Sequence, residues 1–365
     1  MFYKSKCLTV LYSLHMSFSI LLVVVFAILS FYICDVKHVS ILVPQGHSII
    51  DTVIAPYNLL RMANTIYKKI HHTKEDQLHV DLVSVSLEPI TYHRQFTVQP
   101  TATLDHIKRT DLIIIAAIDG RLEREIERNQ AYVPWIREQR ISNGADIASL
   151  CKGAFILADT GLLNGKKCST HWTAHNQFTR LYPEVELIPE KIITEDNGIY
   201  SSGGAYSFLN FTIYLIERYL GREVAIRCSK FSEIDIDRID QSPFSIFHGQ
   251  KDHGDEAILK AQLYIEDHHQ DKIPIPDLAE LSHMSERTFL RRFKKLTANT
   301  PAQYIQRVKV EAAKKMLEST TLQIQQVMFD VGYNDFNAFR KIFKKFAGLS
   351  PQAYQRKYNR EASFA

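Results

Sequence analysis

Sliding this chain by fifty positions lays one stretch of it upon another. Phe289, Phe293, Lys294, Lys295, Pro301 and Tyr304 meet Phe339, Phe343, Lys344, Lys345, Pro351 and Tyr354, while Arg291 meets Lys341 and Thr300 meets Ser350. This repeat constrains the fold more than any other feature. Each copy must build the same local structure, and the segment between them must hold the two at a fixed separation.

Each copy reads as helix, turn, helix. In the first, Leu278, Ala279 and Leu281 form a short apolar helix ending near His283 and Met284, and Ser285 is placed to cap the next helix. In the second, Val327, Met328 and Val331 precede Gly332, a residue suited to a left-handed turn. His stands at position 283, where Gly would be easier, but it tolerates positive φ better than most residues. The second helix of each copy has two faces. Phe289, Phe293 and Leu296, and then Phe339, Phe343 and Phe346, fall three or four apart and predict a buried stripe. Arg287, Leu290, Arg291 and Lys294, with their counterparts Asn337, Arg340, Lys341 and Lys344, lie away from it. A packed back and a basic front suit a helix entering the major groove of DNA. Between the copies, Thr300 and Pro301 begin a longer helix whose apolar face is Ile305, Val308, Ala312 and Met316.

Charge points the same way. Residues 272–365 hold 17 Lys and Arg against 8 Asp and Glu, whereas residues 1–271 hold 27 against 32. The net of +4 therefore hides a basic module on an acidic one, the expected footprint of phosphate binding. Residues 257–357, with SERTFLRRFKK and GYNDFNAFRKIFKKFAGLSPQAY, resemble the AraC/XylS family of bacterial transcription regulators. The resemblance implies an all-α domain with two helix-turn-helix units on one face of double-stranded DNA. Carried over by position, it nominates Arg287, Leu290, Arg291, Phe336, Asn337, Arg340 and Lys341 as base-facing. Lys314, Lys315 and Lys357 read instead as a solvated charged face.

The length of 365 residues suggests two domains. Cys7, Cys34, Cys151, Cys168 and Cys228 form no Cys-x-x-Cys pair and no regular framework, so no disulfide set or Cys-based zinc site is expected, and the sequence nominates no other metal or cofactor. A reducing cytoplasm fits. Residues 1–35 are the exception, because Leu8–Cys34 is apolar enough to cross a bilayer of about 30 Å. Either this stretch tethers an inner-membrane regulator through residues 8–34, or translation begins at Val36 and the stretch is an upstream over-read.

From Lys37 onward short apolar runs alternate with helical patterns. His38–Val43, Val80–Val85, Asp111–Ile118 and Ala145–Leu150 predict strands, and Asp51–Ile70 and Phe155–Leu163 predict helices, the signature of a parallel sheet covered on both faces. Cys151 falls at a strand-to-helix turn. That position can expose a nucleophile, with Lys152 to stabilise a thiolate and His171 or His175 as a base; a small buried thiol packing the turn is the alternative.

HVSILVP, SLCKGAFILADTGLLNGKKCSTHW and SSGGAYSFLNFTIYLIERYLGREVA resemble the PfpI-like, class I glutamine-amidotransferase-like domain, in the form fused to an AraC module in GlxA-type regulators. The resemblance implies a flavodoxin-like α/β domain over 37–225, a linker over 226–256 centred on QSPFSIFHGQKDHGD, the double helix-turn-helix domain over 257–357 and a tail over 358–365. Three departures argue against turnover: Lys152 stands where the peptidase branch has histidine, IIIAAIDG lacks a glycine pair, and Tyr57–Leu60 offers no carboxylate. Cys151 and His171 then become vestigial, and Asp51, Gly120, Cys151 and His171 become candidates for holding a small metabolite. His171 reads equally as a hydrogen-bonded core residue.

The sequence thus predicts a non-enzymatic, DNA-binding transcription regulator with a sensor domain. The expected partners are promoter DNA, a second copy of the chain, an unidentified small-molecule effector and, for an activator, RNA polymerase. The alternatives are a PfpI-like cysteine hydrolase or amidase carrying a DNA-binding domain, and the membrane-tethered regulator.

Overall fold

A computed structural model describes residues 36–238 and 240–359. The apolar stretch of residues 1–35 and the tail beyond 359 lie outside the described residues. Among those described, no helix is long and apolar enough to cross a membrane.

The first part is built on a seven-stranded sheet. Its strands are β1 (Lys37–Leu42), β2 (Leu78–Ser84), β3 (Ala102–Thr103), β4 (Leu112–Ile115), β5 (Asp146–Leu150), β6 (Ile193–Asp196) and β7 (Ile199–Ser202). They lie in the order β6-β7-β5-β4-β1-β2-β3, all parallel except the edge pair β6/β7. The run β2-β1-β4-β5-β7 is the flavodoxin-like order, with the reversal of winding between β1 and β4. All four residues of β4 are buried, as a central parallel strand requires. The strand is shorter than the expected Asp111–Ile118, although Ala116, Ala117 and Ile118 stay fully buried beyond it.

Alternation along the strands feeds two cores. Leu112 and Ile114 of β4 pack with Val39 and Ile41 of β1 beneath helices Asp51–His71, Ser207–Leu220 and Arg222–Phe231. Ile113 and Ile115 point the other way, toward Trp135, Ile136 and Phe155. Helix Arg222–Phe231 buries Val224, Ala225 and Cys228 in the first core. This helix spans residue 225 and ends at Phe231.

The second part is all helical: Glu256–Asp267, Ile275–Leu281, Glu286–Thr297, Pro301–Ser319, Ile324–Asp330, Phe336–Ala347 and Pro351–Tyr358. The repeat becomes two matching cores. Phe289, Phe293 and Tyr304 centre one, and Phe339, Phe343 and Tyr354 centre the other. The ring geometry repeats as well, with Phe293 meeting Tyr304 at 5.3 Å and 89°, and Phe343 meeting Tyr354 at 5.5 Å and 81°. The linker helix Pro301–Ser319 gives Tyr304 and Val308 to the first core and Val310, Ala313 and Leu317 to the second. Thr300 and Gln303 close a capping box at its start.

The two turns adopt the predicted left-handed geometry, φ 53° at His283 and 76° at Gly332. Gly332 also lies close against another backbone, since an added Cβ would stand 2.0 Å from the Gln270 carbonyl and 2.5 Å from Lys309 Nζ. Gly144 has φ 72° and nothing within 4 Å. Gly144→Ala should therefore cost only the left-handed penalty of about 1–2 kcal/mol. Gly332→Ala should add an overpacking cost of about 1–3 kcal/mol. Urea midpoints would measure both, and equal losses would show that the close approach at Gly332 carries no energy.

Candidate functional site

The face nominated for DNA is positioned by two capped helices. Ser285 accepts from the Thr288 N–H at the start of Glu286–Thr297, and Asp335 accepts from the Asn337 and Ala338 N–H groups at the start of Phe336–Ala347. With Phe289, Phe293, Phe339 and Phe343 buried, Arg287, Arg291, Asn337, Arg340 and Lys341 stand exposed, and Leu290 and Phe336 are half-buried. Arg292, one position along, turns back to pair with Asp255, whereas among the described residues Arg287, Arg291, Arg340 and Lys341 join no ion pair. The linker helix of 19 residues is about 28 Å long, of the same order as a helical turn of B-DNA, about 34 Å.

In the first part, Cys151 sits between β5 and the short helix Ala154–Asp159 with φ 54°, the strained turn of a nucleophile elbow. Gly153 is required there, because a Cβ would stand 2.6 Å from the Ile115 carbonyl oxygen. The loop Gly203–Tyr206 gathers three of the four pocket candidates. The Ala205 N–H is directed at the Cys151 sulfur, Gly204 lies against the His171 ring, and the Tyr206 hydroxyl donates to Asp51 at 3.0 Å. Gly120 adjoins Asp119, whose carboxylate takes the Lys152 amine at 2.8 Å. Burial alone would raise the Asp119 pKa, but the Lys152 hydrogen bond and charge outweigh it and hold the carboxyl below its ordinary range.

The thiol is sealed. Cys151 has no exposed surface, and burial pushes its pKa up to about 11 despite backbone donors from Ala205 and Lys152. Among the described residues no hydrogen bond joins it to His171 or His175. His171 Nδ1 instead accepts from the Thr173 N–H at 3.1 Å, and His175 Nε2 donates to the Thr170 carbonyl at 3.2 Å. The geometry keeps an elbow but presents neither a thiolate nor a base in contact with it.

Sequence reasoning missed the junction between the two parts. Gln241, 1% exposed, donates its amide to the Pro189 and Thr170 carbonyls at 2.8 and 3.1 Å and accepts from the Gly204 N–H at 2.9 Å. The next residues, Ser242–Phe244, lie on the end of the second recognition helix. Pro243 touches Gly348, and its carbonyl accepts from the Tyr358 hydroxyl at 2.8 Å. Lys314, expected on a solvated face, is 3% exposed and donates to the Ser245 carbonyl and, at 2.9 Å, to Glu311. The connector covers that side of the linker helix, which is why the expectation fails. Lys357 is exposed, but its amine lies 4.3 Å from the Phe244 ring centre; Lys315 is exposed as expected. A cavity of about 370 Å³ remains at the junction, lined by Trp172, His175 and Pro189 on one side and Phe247, Arg307 and Phe346 on the other.

A helix-turn-helix domain model matches residues 278–357, and a DJ-1/PfpI family model matches residues 37–218. The transcriptional regulator GbdR of Pseudomonas aeruginosa is 24% identical over 262 residues, 70% of this chain and 68% of GbdR. CdhR of the same organism is 23% identical over 303 residues, 80% of this chain and 84% of CdhR. The chain is an AraC-family helix-turn-helix regulator with an N-terminal DJ-1/PfpI domain. Its helix-turn-helix region implies DNA binding. An isonitrile hydratase of Pseudomonas putida is 27% identical over 147 residues, 40% of the regulator and 61% of the hydratase.

Two half-buried histidines give the regulator a pH signature. Burial lowers His171 and His175 to about 4, with the Lys152 charge assisting at His171 and Arg307 at His175. Unfolded histidine takes its proton near pH 6.5, so between these values the unfolded chain binds more protons than the native one. Stability should therefore fall as pH drops from about 6.5 toward 4. Melting curves of His175→Gln should show a shallower fall over that window, and a curve parallel to the parent would remove His175 from the account.

Proposed function

We propose that the DJ-1/PfpI domain of this regulator is a non-catalytic sensor whose state reaches the DNA-binding helices through the connector at Gln241. The regulator would act as a homodimer on promoter DNA in the cytoplasm, with Arg287, Leu290, Arg291, Phe336, Asn337, Arg340 and Lys341 at the bases. The observation that carries the reading is Gln241. One buried carboxamide ties the loop against His171 to a segment resting on the second recognition helix. A small-molecule effector near Asp51, Gly120, Cys151 and His171 would shift the regulator only by binding one arrangement of this junction better than another.

The reading makes two measurable demands. On a site selected from random-sequence DNA, Arg291→Ala and Arg340→Ala should each lose about 1–3 kcal/mol and relax preference at one base pair, while an unchanged preference would remove that arginine from the base-reading set. In scanning calorimetry, Gln241→Ala should separate the melting of the sensor from that of the DNA-binding region. Unfolding identical to the parent would mean that Gln241 couples nothing.

The second reading is a cysteine-dependent enzyme, favoured by the elbow at Cys151 and the likeness to a hydratase. Its difficulty is the sealed thiol. Alkylation of Cys151 by iodoacetamide at pH 7.5 should be at least about tenfold slower in the native regulator than in the unfolded chain, because the thiolate is the reactive form. Rapid native labelling, with turnover lost in Cys151→Ser, would favour the enzyme.

A further inference from the structure

At the amino ends of β1 and β2, far along the sheet from the elbow, three metal-ligating side chains share one face. Parallel pairing sets His38 beside His79, and Asp81, two residues on, projects to the same side as His79. His38 Nε2 and His79 Nε2 approach the same oxygen, Asp81 Oδ2, at 3.0 and 3.2 Å, and the three atoms lie within 4.8 Å of one another.

The cluster is held in place from behind. His38 Nδ1 lies 2.9 Å from the Thr110 hydroxyl, which itself lies 3.1 Å from the Ser40 hydroxyl and 3.1 Å from the His38 carbonyl. His38 Nε2, His79 Nε2 and Asp81 Oδ2 are therefore presented together, each with an electron pair that a cation between them can take. Thr101 donates to the other Asp81 oxygen at 2.6 Å and fixes the carboxylate, while Thr110 fixes the imidazole. Partners of this kind orient metal ligands.

We propose that His38 Nε2, His79 Nε2 and Asp81 Oδ2 form a site for a divalent cation of the zinc class, with the remaining coordination positions open to solvent beside exposed His79. Imidazole with one carboxylate suits zinc, nickel or copper rather than magnesium or calcium. Tetrahedral ligands about 2.0–2.1 Å from zinc stand about 3.3 Å apart, close to the two separations observed. No such site was legible in the sequence, because His38 and His79 meet only through strand pairing.

The test is titration of the full chain, stripped with a chelator, with Zn²⁺ in a calorimeter. The expected result is one zinc per chain, bound at least about tenfold more weakly by His79→Ala. The exposed His79 side chain makes that substitution safe for folding, and the metal-free melting temperature should not change. Co²⁺ should give visible ligand-field bands that the variant loses. No saturable binding, binding unaltered by His79→Ala, or imidazole resonances of His38 and His79 that zinc leaves unchanged in NMR spectra would each overturn the site.

Discussion

The amine of Lys309 holds the DNA-binding region in register. It lies buried on the linker helix and donates to the carbonyls of Asp271, Val331 and Gly332 at 3.1, 3.0 and 3.4 Å. Those carbonyls belong to the approach to the first helix-turn-helix unit and to the turn of the second. Buried carbonyls without partners are costly, about 1–3 kcal/mol each, so one cation on the shared helix fixes both units against it. The close approach at Gly332 follows from the same contact, since the turn must come within reach of the amine. The two helix-turn-helix units are thereby held at a fixed separation on the linker helix.

The DJ-1/PfpI domain keeps the architecture of a reactive site while closing it. The left-handed elbow at Cys151, the positive φ at Ala205 and the close packing of Gly153 on β4 are features of the backbone. The side chains around it are engaged with one another. Lys152 pairs with Asp119, His171 is tied to Thr173, and the sulfur is covered. The strained turn and its buried sulfur meet the loop Gly203–Tyr206, whose Gly204 N–H is held by Gln241.

Much of this was legible because it is local or periodic. Phe289, Phe293, Phe339 and Phe343 are buried since a helix puts every third or fourth residue on one face. Gly332 and His283 are left-handed since a tight turn demands it, and Cys151 falls at the turn where an apolar strand meets a helix. What escaped depends on contacts distant in sequence. Lys314 looked like its exposed neighbour Lys315, because nothing local shows that residues 242–247 fold back over it. Gln241 looked like ordinary linker polarity, because its partners lie 37 to 71 residues away.

The sequence by itself determined the two fold types, the doubled helix-turn-helix unit, the basic face and the turn at which Cys151 falls. Hydrophobic period, turn chemistry and charge are properties of neighbouring residues and survive in a one-dimensional string. Only the tertiary structure decided that the thiol is sealed, that the buried Gln241 carboxamide ties the connector to the DJ-1/PfpI domain, and that His38, His79 and Asp81 converge. Each of these is a matter of desolvation or of angstrom-scale distance between separate elements, and such quantities come into being only when the elements pack.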